Sequence, residues 1–197
     1  MTLAILIISL VLLTGCNKFS NKKIYTKKNY FLNKHSIENT IHNWSYLIKI
    51  SANQYNIDEK LIKAIIYTES SGNPYAKSHS NAIGLMQIKP SSAGAEIYRM
   101  NGKKGQPSIQ SLYNPKININ IGTAYISLLQ KKKLFGIRNK DVMRCATIVA
   151  YVNGTNALLK IFSKNRHESI RIINTMTMES FCKYIKKNIQ QSKHLFI

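Results

Sequence analysis

The chain has 197 residues, 44% of them apolar, which is enough for one domain with a hydrophobic core. It carries 29 lysines and arginines against 8 aspartates and glutamates, a formal net charge of +21. This charge fits nucleic acid, anionic lipid or an acidic polymer as a partner, and equally a compositional bias toward lysine. The chain carries no recognised nucleic-acid-binding motif, and the five histidines lack metal-ligand spacing. We therefore expect no nucleic acid, no metal and no cofactor.

The N-terminus reads as a secretion and anchoring segment. Residues 1–15 form an apolar run that is too short to span a bilayer as a helix, and it ends in small residues ahead of a cysteine. Residues 13–16, LTGC, resemble the lipobox of bacterial lipoproteins, although no lysine or arginine precedes the apolar run. We therefore predict a signal peptide over residues 1–15, acylation of Cys16, and a flexible tether over residues 16–36. The residue after Cys16 is Asn17, whereas an aspartate at this position would resemble an inner-membrane retention signal. We therefore expect a lipid anchor on the periplasmic face of the outer membrane.

The rest of the chain is predicted to be helical. Apolar spacing predicts a first helix over residues 37–54. A second helix begins after Asp58, a favourable N-cap, and Gly72 is expected to end it. Further helices are predicted to begin at Pro90, at Asn114 and Pro115, at Asp141, near Thr155 and around Thr177. Because no long alternating apolar pattern is present, the sequence predicts an all-α domain over residues 37–197.

Glu69 lies on the apolar face of the second predicted helix. It follows Ile62 by seven residues and Ile66 by three, so on a helix it shares their buried stripe. Burial and the negative end of the helix dipole both disfavour its charged form, so we expect a raised pKa. A carboxylic acid that stays protonated near neutral pH can act as a general acid. The other acids lie where helices begin or in polar surroundings, which leaves Glu69 as the candidate acid.

The segment that begins at Glu69 carries a family resemblance. Residues 69–90, ESSGNPYAKSHSNAIGLMQIKP, resemble the first signature of the lytic transglycosylase family, with E-S, N-P, A, S and G-L-M-Q-I at fixed distances. Residues 112–129 and 150–163 extend the likeness to the small, membrane-bound, endo-type members of that family, from about residue 40 to the C-terminus. The resemblance implies a lysozyme-like fold and cleavage of the MurNAc to GlcNAc β-1,4 bond of peptidoglycan.

The same resemblance implies roles for individual residues. Glu69 would be the sole acid and base, and Ser78 and Ser80 would hold the sugar near it. Gln87 would bind the glycan, with Met86 packed beside it, and Tyr151 would lie close to the catalytic carboxyl. Without the resemblance these residues would be read as turn formers, a surface amide and core side chains.

The last motif departs from the family pattern at two positions. Val152 adds two methyl groups beside Tyr151, and Asn156 replaces a glycine. If that glycine position requires a positive φ, asparagine tolerates it better than most residues do. The departures therefore concern the width of the groove and leave the chemistry unchanged.

A single well-placed carboxylate favours transfer over hydrolysis. Glycosidases that use water need two carboxylates, whereas one is enough if the C6 hydroxyl of MurNAc attacks and forms 1,6-anhydroMurNAc. The alternatives are a goose-type lysozyme-like peptidoglycan hydrolase and a non-catalytic wall-binding lipoprotein. The sequence leaves open whether Cys145 and Cys182 form a disulfide or remain buried free thiols.

Overall fold

The computed structural model describes residues 40–194, and the side chains of residues 40–189. The predicted signal peptide, the lipidated Cys16 and the tether lie outside the described residues. The described part of the chain forms two compact units, residues 40–127 and residues 128–194. Within residues 40–194 there is no strand, only isolated bridges that join Lys77 to Ile83 and Ile83 to Ile88.

Helices account for most of the N-terminal unit. They are α1 (Ser45–Tyr55), α2 (Glu59–Ser70), the π-helical turn π1 (Pro90–Gly94), α3 (Ala95–Met100), the short α4 (Ile109–Leu112) and α5 (Pro115–Leu128). The core of this unit is built from the apolar faces of α1, α2 and α5 and from the loop after α2. Its fully buried side chains include Ile48, Ile62, Ile66, Ile83, Leu85 and Ile119.

The C-terminal unit contains a π-helical turn and four α-helices. They are π2 (Leu129–Lys133), α6 (Lys140–Asn153), α7 (Thr155–Lys160), α8 (Arg166–Asn174) and α9 (Met178–His194). The buried residues include Val142, Ala146, Leu158, Ile173 and Phe181. No helix in the part of the chain that the structure describes is long and apolar enough to cross a membrane.

Polar side chains cap these helices much as their sequence positions predict. The Asp58 carboxylate accepts from the backbone N–H of Lys60 at 2.9 Å, and the Asn114 amide oxygen accepts from Lys116 at 3.0 Å. Each cap satisfies a backbone donor that a helix N-terminus leaves without an intrahelical partner. The helix predicted from Asp141 begins one residue earlier, because Asn139 supplies its cap.

Two predictions about helices were incomplete, and two helices were missed. The first predicted helix is broken by a turn at residues 43–44, so α1 begins at Ser45. The helix predicted at Pro90 starts with the π-helical turn before it becomes α3. The short helix α4 and the helix α8, which Asn165 caps, were not predicted.

Candidate active site

Glu69 lies on the last turn of α2, next to the buried residues Ile65 and Ile66. Its side chain is partly buried, and this loss of hydration raises its pKa from the ordinary 4.5 to about 7. A charged carboxylate at this end of a helix also faces the partial negative charge of the last carbonyl groups. The structure therefore confirms the predicted position of this carboxylic acid on α2. With a pKa of about 7, the acid is still substantially protonated near neutral pH.

The end of α2 is tied to the loop that follows it. The Ser70 hydroxyl donates to the carbonyl of Leu85 at 2.7 Å and accepts from the N–H of Gly72 at 3.2 Å. The Trp44 indole donates to the carbonyl of Gly72 at 3.0 Å. A Cβ at Gly72 would lie 2.8 Å from the Thr40 methyl group, and its φ of 84° is unfavourable for other residues. These contacts hold Glu69 at a fixed position relative to the loop.

Ser78 and Ser80 lie together in the loop after α2. Their hydroxyl oxygens are 3.1 Å apart, within hydrogen-bonding distance. The Ser78 hydroxyl also accepts from the N–H of Ala82 at 3.0 Å, and the Ser78 backbone N–H donates to the Ala82 carbonyl at 3.0 Å. Ser78 therefore shapes the turn, whereas Ser80 is exposed and its hydroxyl reaches solvent.

The side-chain amide of Gln87 hydrogen-bonds backbone carbonyl groups of its own loop. Its Nε2 donates to the carbonyls of Ala76 at 3.2 Å and Gly84 at 3.1 Å. Its φ of 46° is left-handed, and its side chain lies over its own loop. Because both donors of the amide are engaged, the carbonyl oxygen is the part of Gln87 that a glycan could contact.

Met86 is fully buried and packs on Gly122 of α5. A Cβ at Gly122 would lie 2.3 Å from the Met86 sulfur, so only glycine permits this approach. The Met86 side chain therefore supports the loop from beneath, at a depth where it does not meet solvent.

The sequence did not single out Asn118, which is the polar centre of this unit. Its Oδ1 accepts from the N–H of Met86 at 2.9 Å, and its Nδ2 donates to the carbonyls of Ile83 at 2.9 Å and Leu112 at 2.7 Å. The residue is 1% exposed, so these bonds form away from water. The sequence indicated this role only by placing an asparagine among isoleucines on the inner face of a helix.

Tyr151 belongs to the C-terminal unit, on the last turn of α6. Gly154, with a φ of 87°, ends this helix, and α7 begins at the next residue. Asn156 lies inside α7 and the positive φ falls on Gly154, so the position of Asn156 does not require a left-handed backbone. The proximity of Tyr151 to Glu69 stays a prediction.

The other described acids have local structural roles. Asp58 caps α2, and Glu179 lies in the first turn of α9. The remaining acids pair with cations three or four residues later: Glu59 with Lys63 at 3.5 Å, Glu96 with Arg99 at 4.0 Å, Asp141 with Arg144 at 3.7 Å and Glu168 with Arg171 at 2.7 Å. Among the described residues, no group of three or more His, Cys, Asp or Glu side chains could hold a metal ion.

Comparison with known proteins decides the family. Residues 46–174 match the family model described as the transglycosylase SLT domain. The chain belongs to this family. It is 69% identical over 196 residues to the membrane-bound lytic murein transglycosylase E of Buchnera aphidicola subsp. Acyrthosiphon pisum, covering 100% of this chain and 88% of the relative. It is 44% identical over 179 residues to the endo-type membrane-bound lytic murein transglycosylase A of an Enterobacter species, covering 91% of this chain and 86% of that relative.

Solved structures of other SLT transglycosylases share the fold. The 70 kDa soluble lytic transglycosylase of Escherichia coli superposes with a TM-score of 0.53 and 23% identity, covering 84% of this chain and 30% of that one. The lytic transglycosylase Slt of Pseudomonas aeruginosa gives a TM-score of 0.52 and 23% identity, covering 73% and 22%. The predicted family, the all-α lysozyme-like fold and the enzyme class, a lyase, are confirmed.

Proposed function

We propose that this SLT transglycosylase cleaves the MurNAc to GlcNAc β-1,4 bond of peptidoglycan and forms 1,6-anhydroMurNAc, with Glu69 as its sole acid and base. The observation that carries the proposal is the partly buried carboxyl of Glu69, whose pKa lies at about 7. The names of the relatives as murein transglycosylases support peptidoglycan as the substrate.

The reaction needs one proton donor that becomes a base. Protonated Glu69 gives its proton to the glycosidic oxygen while the bond from that oxygen to C1 of MurNAc breaks. The C6 hydroxyl of the same sugar then attacks C1, and its proton returns to the Glu69 carboxylate. One bond breaks, one forms, and the acid is regenerated. A pKa near 7 suits both steps, because neither protonation state of Glu69 is strongly disfavoured at neutral pH.

The positions of the other acids support the use of an internal nucleophile. Hydrolysis with inversion or retention requires a second carboxylate, about 5 to 9.5 Å from the first. The described acids other than Glu69 serve as caps, lie in first helical turns or form ion pairs on their own helices. The C6 hydroxyl is already attached to the reacting sugar, so it needs no further carboxylate to position it.

We assign the substrate contacts as follows. The Ser78 and Ser80 hydroxyls and the carbonyl oxygen of Gln87 would hydrogen-bond the glycan, and Tyr151 would lie beside the acid. Met86 would act by packing under the loop, because its side chain is buried. The endo-type name of one group of relatives supports cleavage within glycan strands. No cofactor or nucleic acid enters the reaction.

We further propose that the enzyme works from a membrane in the cell envelope. The relatives named membrane-bound support this location. Acylation of Cys16, which follows the apolar residues 1–15, would provide a lipid anchor on the periplasmic face of the outer membrane. Residues 16–36 would then act as a tether that allows the enzyme to reach the wall.

Digestion of purified sacculi in ¹⁸O-labelled water tests the transfer. Attack by the C6 hydroxyl leaves unlabelled anhydro ends, which are lighter than reducing ends by one water. Attack by water leaves the label at C1 of MurNAc. Predominantly labelled reducing ends would identify a lysozyme-like hydrolase and direct attention to Asp58, Glu96 or Asp141 as a second acid. No turnover of intact sacculi by the full chain would instead support a wall-binding lipoprotein.

A further inference from the structure

Two cysteines of the C-terminal unit meet although they are 37 positions apart in the sequence. Cys145 lies on α6 and Cys182 on α9, and their Sγ atoms are 3.9 Å apart. Cys145 is 3% exposed and Cys182 is partly buried, and both are free thiols. The proposed transglycosylase reaction uses neither residue.

Aromatic packing independently holds α9 in place beside these thiols. The ring of Phe162 stacks on Phe181, with centroids 5.8 Å apart, and on Tyr184, with centroids 5.1 Å apart. Phe181 is fully buried and immediately precedes Cys182, and Ile185 is buried one turn later. The two thiols therefore lie side by side because α9 is already packed in place. A reaction between them needs no further ordering of the chain.

We propose that Cys145 and Cys182 form a reversible disulfide that links α9 to α6 when a disulfide-bearing oxidant is present. A disulfide requires sulfur atoms about 2.05 Å apart, so the two sulfurs must approach by roughly 2 Å. The partly buried Cys182 lies near one end of α9, where a side-chain rotation can supply this movement. The bridge is a modification that the transglycosylase reaction neither requires nor explains.

The oxidation proceeds as two thiol–disulfide exchanges. The Cys182 thiolate attacks one sulfur of the oxidant, forms a mixed disulfide and releases the first thiol of the oxidant. Cys145, after losing its proton, then attacks the Sγ of Cys182 and releases the second thiol. Two protons and two electrons leave the cysteine pair, and the oxidant is reduced from one disulfide to two thiols.

The surroundings of the pair favour this order. The hydrogen bond between the two thiols lowers the pKa of Cys182, so the more accessible sulfur ionises first. The same hydrogen bond, together with burial, raises the pKa of Cys145, and Asp141 adds to this effect while Arg144 opposes it. Once Cys182 is in a mixed disulfide it is no longer a thiolate that shares a hydrogen bond with Cys145, so the largest cause of the raised pKa of Cys145 is removed.

The test treats the full chain with oxidised glutathione and maps it by mass spectrometry after trypsin digestion without reduction. Trypsin cleaves after Arg144 and Lys160 and after Arg171 and Lys183, so the two cysteines fall in separate peptides, residues 145–160 and residues 172–183. The expected product is one linked pair of these peptides, lighter by two hydrogen atoms than their sum. Glutathione on Cys182 without linked peptides, or links that mainly involve the peptide containing Cys16, would overturn the proposal.

Thermal unfolding provides a second measurement. The bridge closes a loop between residues 37 positions apart, so oxidised protein should melt about 10 °C above protein kept in dithiothreitol. Cys182→Ser removes the more accessible thiol, and Cys145→Ala with Cys182→Ser removes both. Oxidised glutathione should not raise the melting temperature of either variant. A wild-type midpoint that does not change on oxidation, or an equal rise in Cys182→Ser, would contradict the bridge.

Discussion

Ser70, the residue after the catalytic candidate, donates a 2.7 Å hydrogen bond to the carbonyl of Leu85. This bond joins the end of α2 to the loop that contains Met86 and Gln87. The same hydroxyl accepts from the N–H of Gly72, so one side chain fixes both the helix end and the chain that leaves it. The position of Glu69 in the site therefore depends on the hydrogen bonds that the neighbouring Ser70 side chain makes to the backbone.

Glu69→Gln should remove nearly all turnover of sacculi. The amide keeps the volume of the side chain but cannot transfer the proton, and general acid–base catalysis contributes about 10²- to 10⁴-fold. We expect a loss at or beyond the upper end, with glycan binding retained. Glu59→Gln is the matched control, because this acid forms a partly exposed pair with Lys63, and its activity should stay within about twofold. Activity of Glu69→Gln within tenfold of wild type would mean that another group carries the chemistry.

The raised pKa of Glu69 should make wild-type stability depend on pH. Its folded pKa of about 7 lies above the ordinary 4.5, so the folded state binds a proton more tightly than the unfolded state. The contribution of Glu69 to stability is therefore greatest below about pH 4.5 and is lost as pH rises to about 7. Across this window the free energy of unfolding of Glu69→Gln should rise relative to that of wild type by at most about 3 kcal/mol. Solvent screening reduces this difference. Urea unfolding at several pH values measures the difference, and a constant difference would contradict the buried acid.

The same carboxyl should govern the pH dependence of turnover. The first step requires the protonated acid, so kcat/KM should fall as pH rises through about 7. Initial rates of release of soluble muropeptides from sacculi measure this limb. A rate that is flat from about pH 6 to about pH 9 would argue against Glu69 as the proton donor.

Asn118→Ala should destabilise the N-terminal unit strongly. The substitution leaves the N–H of Met86 and the carbonyl of Leu112 buried without this partner, whereas the carbonyl of Ile83 keeps its bond from the N–H of Ile88. At about 1 to 3 kcal/mol for each unsatisfied group, with partial relaxation, we expect a loss of about 3 to 5 kcal/mol in the free energy of unfolding. Asn156→Ala, at an exposed position of α7, should change it by less than about 0.5 kcal/mol. Equal effects of the two substitutions in urea unfolding would refute the role of Asn118.

Ser78→Ala and Ser80→Ala should separate loop structure from substrate binding. The Ser78 hydroxyl holds the N–H of Ala82, so its loss should lower both thermal stability and turnover. Ser80 is exposed, so Ser80→Ala should raise KM by about three- to tenfold, the effect of about one hydrogen bond, with little change in the melting temperature. An unchanged KM for Ser80→Ala would remove this residue from the glycan site.

Cys16→Ala should release the enzyme from the membrane fraction. The substitution removes the thiol that would carry the lipid, and residues 16–36 contain no apolar run that could replace the anchor. Fractionation of cells with immunodetection measures the distribution, with Cys145→Ala as the control cysteine that should leave it unchanged. Retention of Cys16→Ala in the membrane fraction would defeat the lipid anchor.

The sequence by itself determined the features that depend on near neighbours along the chain. Helical spacing placed Glu69 on the apolar face of α2, and Asp58 and Asn114 marked helix starts, because a cap bonds a backbone N–H two or three residues away. The motif at residues 69–90 identified the family for the same reason, since its positions lie on one continuous segment.

Only the tertiary structure decided how distant segments share polar groups. Asn118 bonds Met86, 32 positions away, and Ile83, 35 positions away, and the break before α1 places Trp44 so that it reaches Gly72, 28 positions away. Local propensity does not encode such pairs, because each buried polar group bonds whichever partner the packed core brings within about 3 Å. The meeting of Cys145 with Cys182 has the same origin: two amphipathic helices bury their apolar faces together, and the thiols come into contact as a consequence.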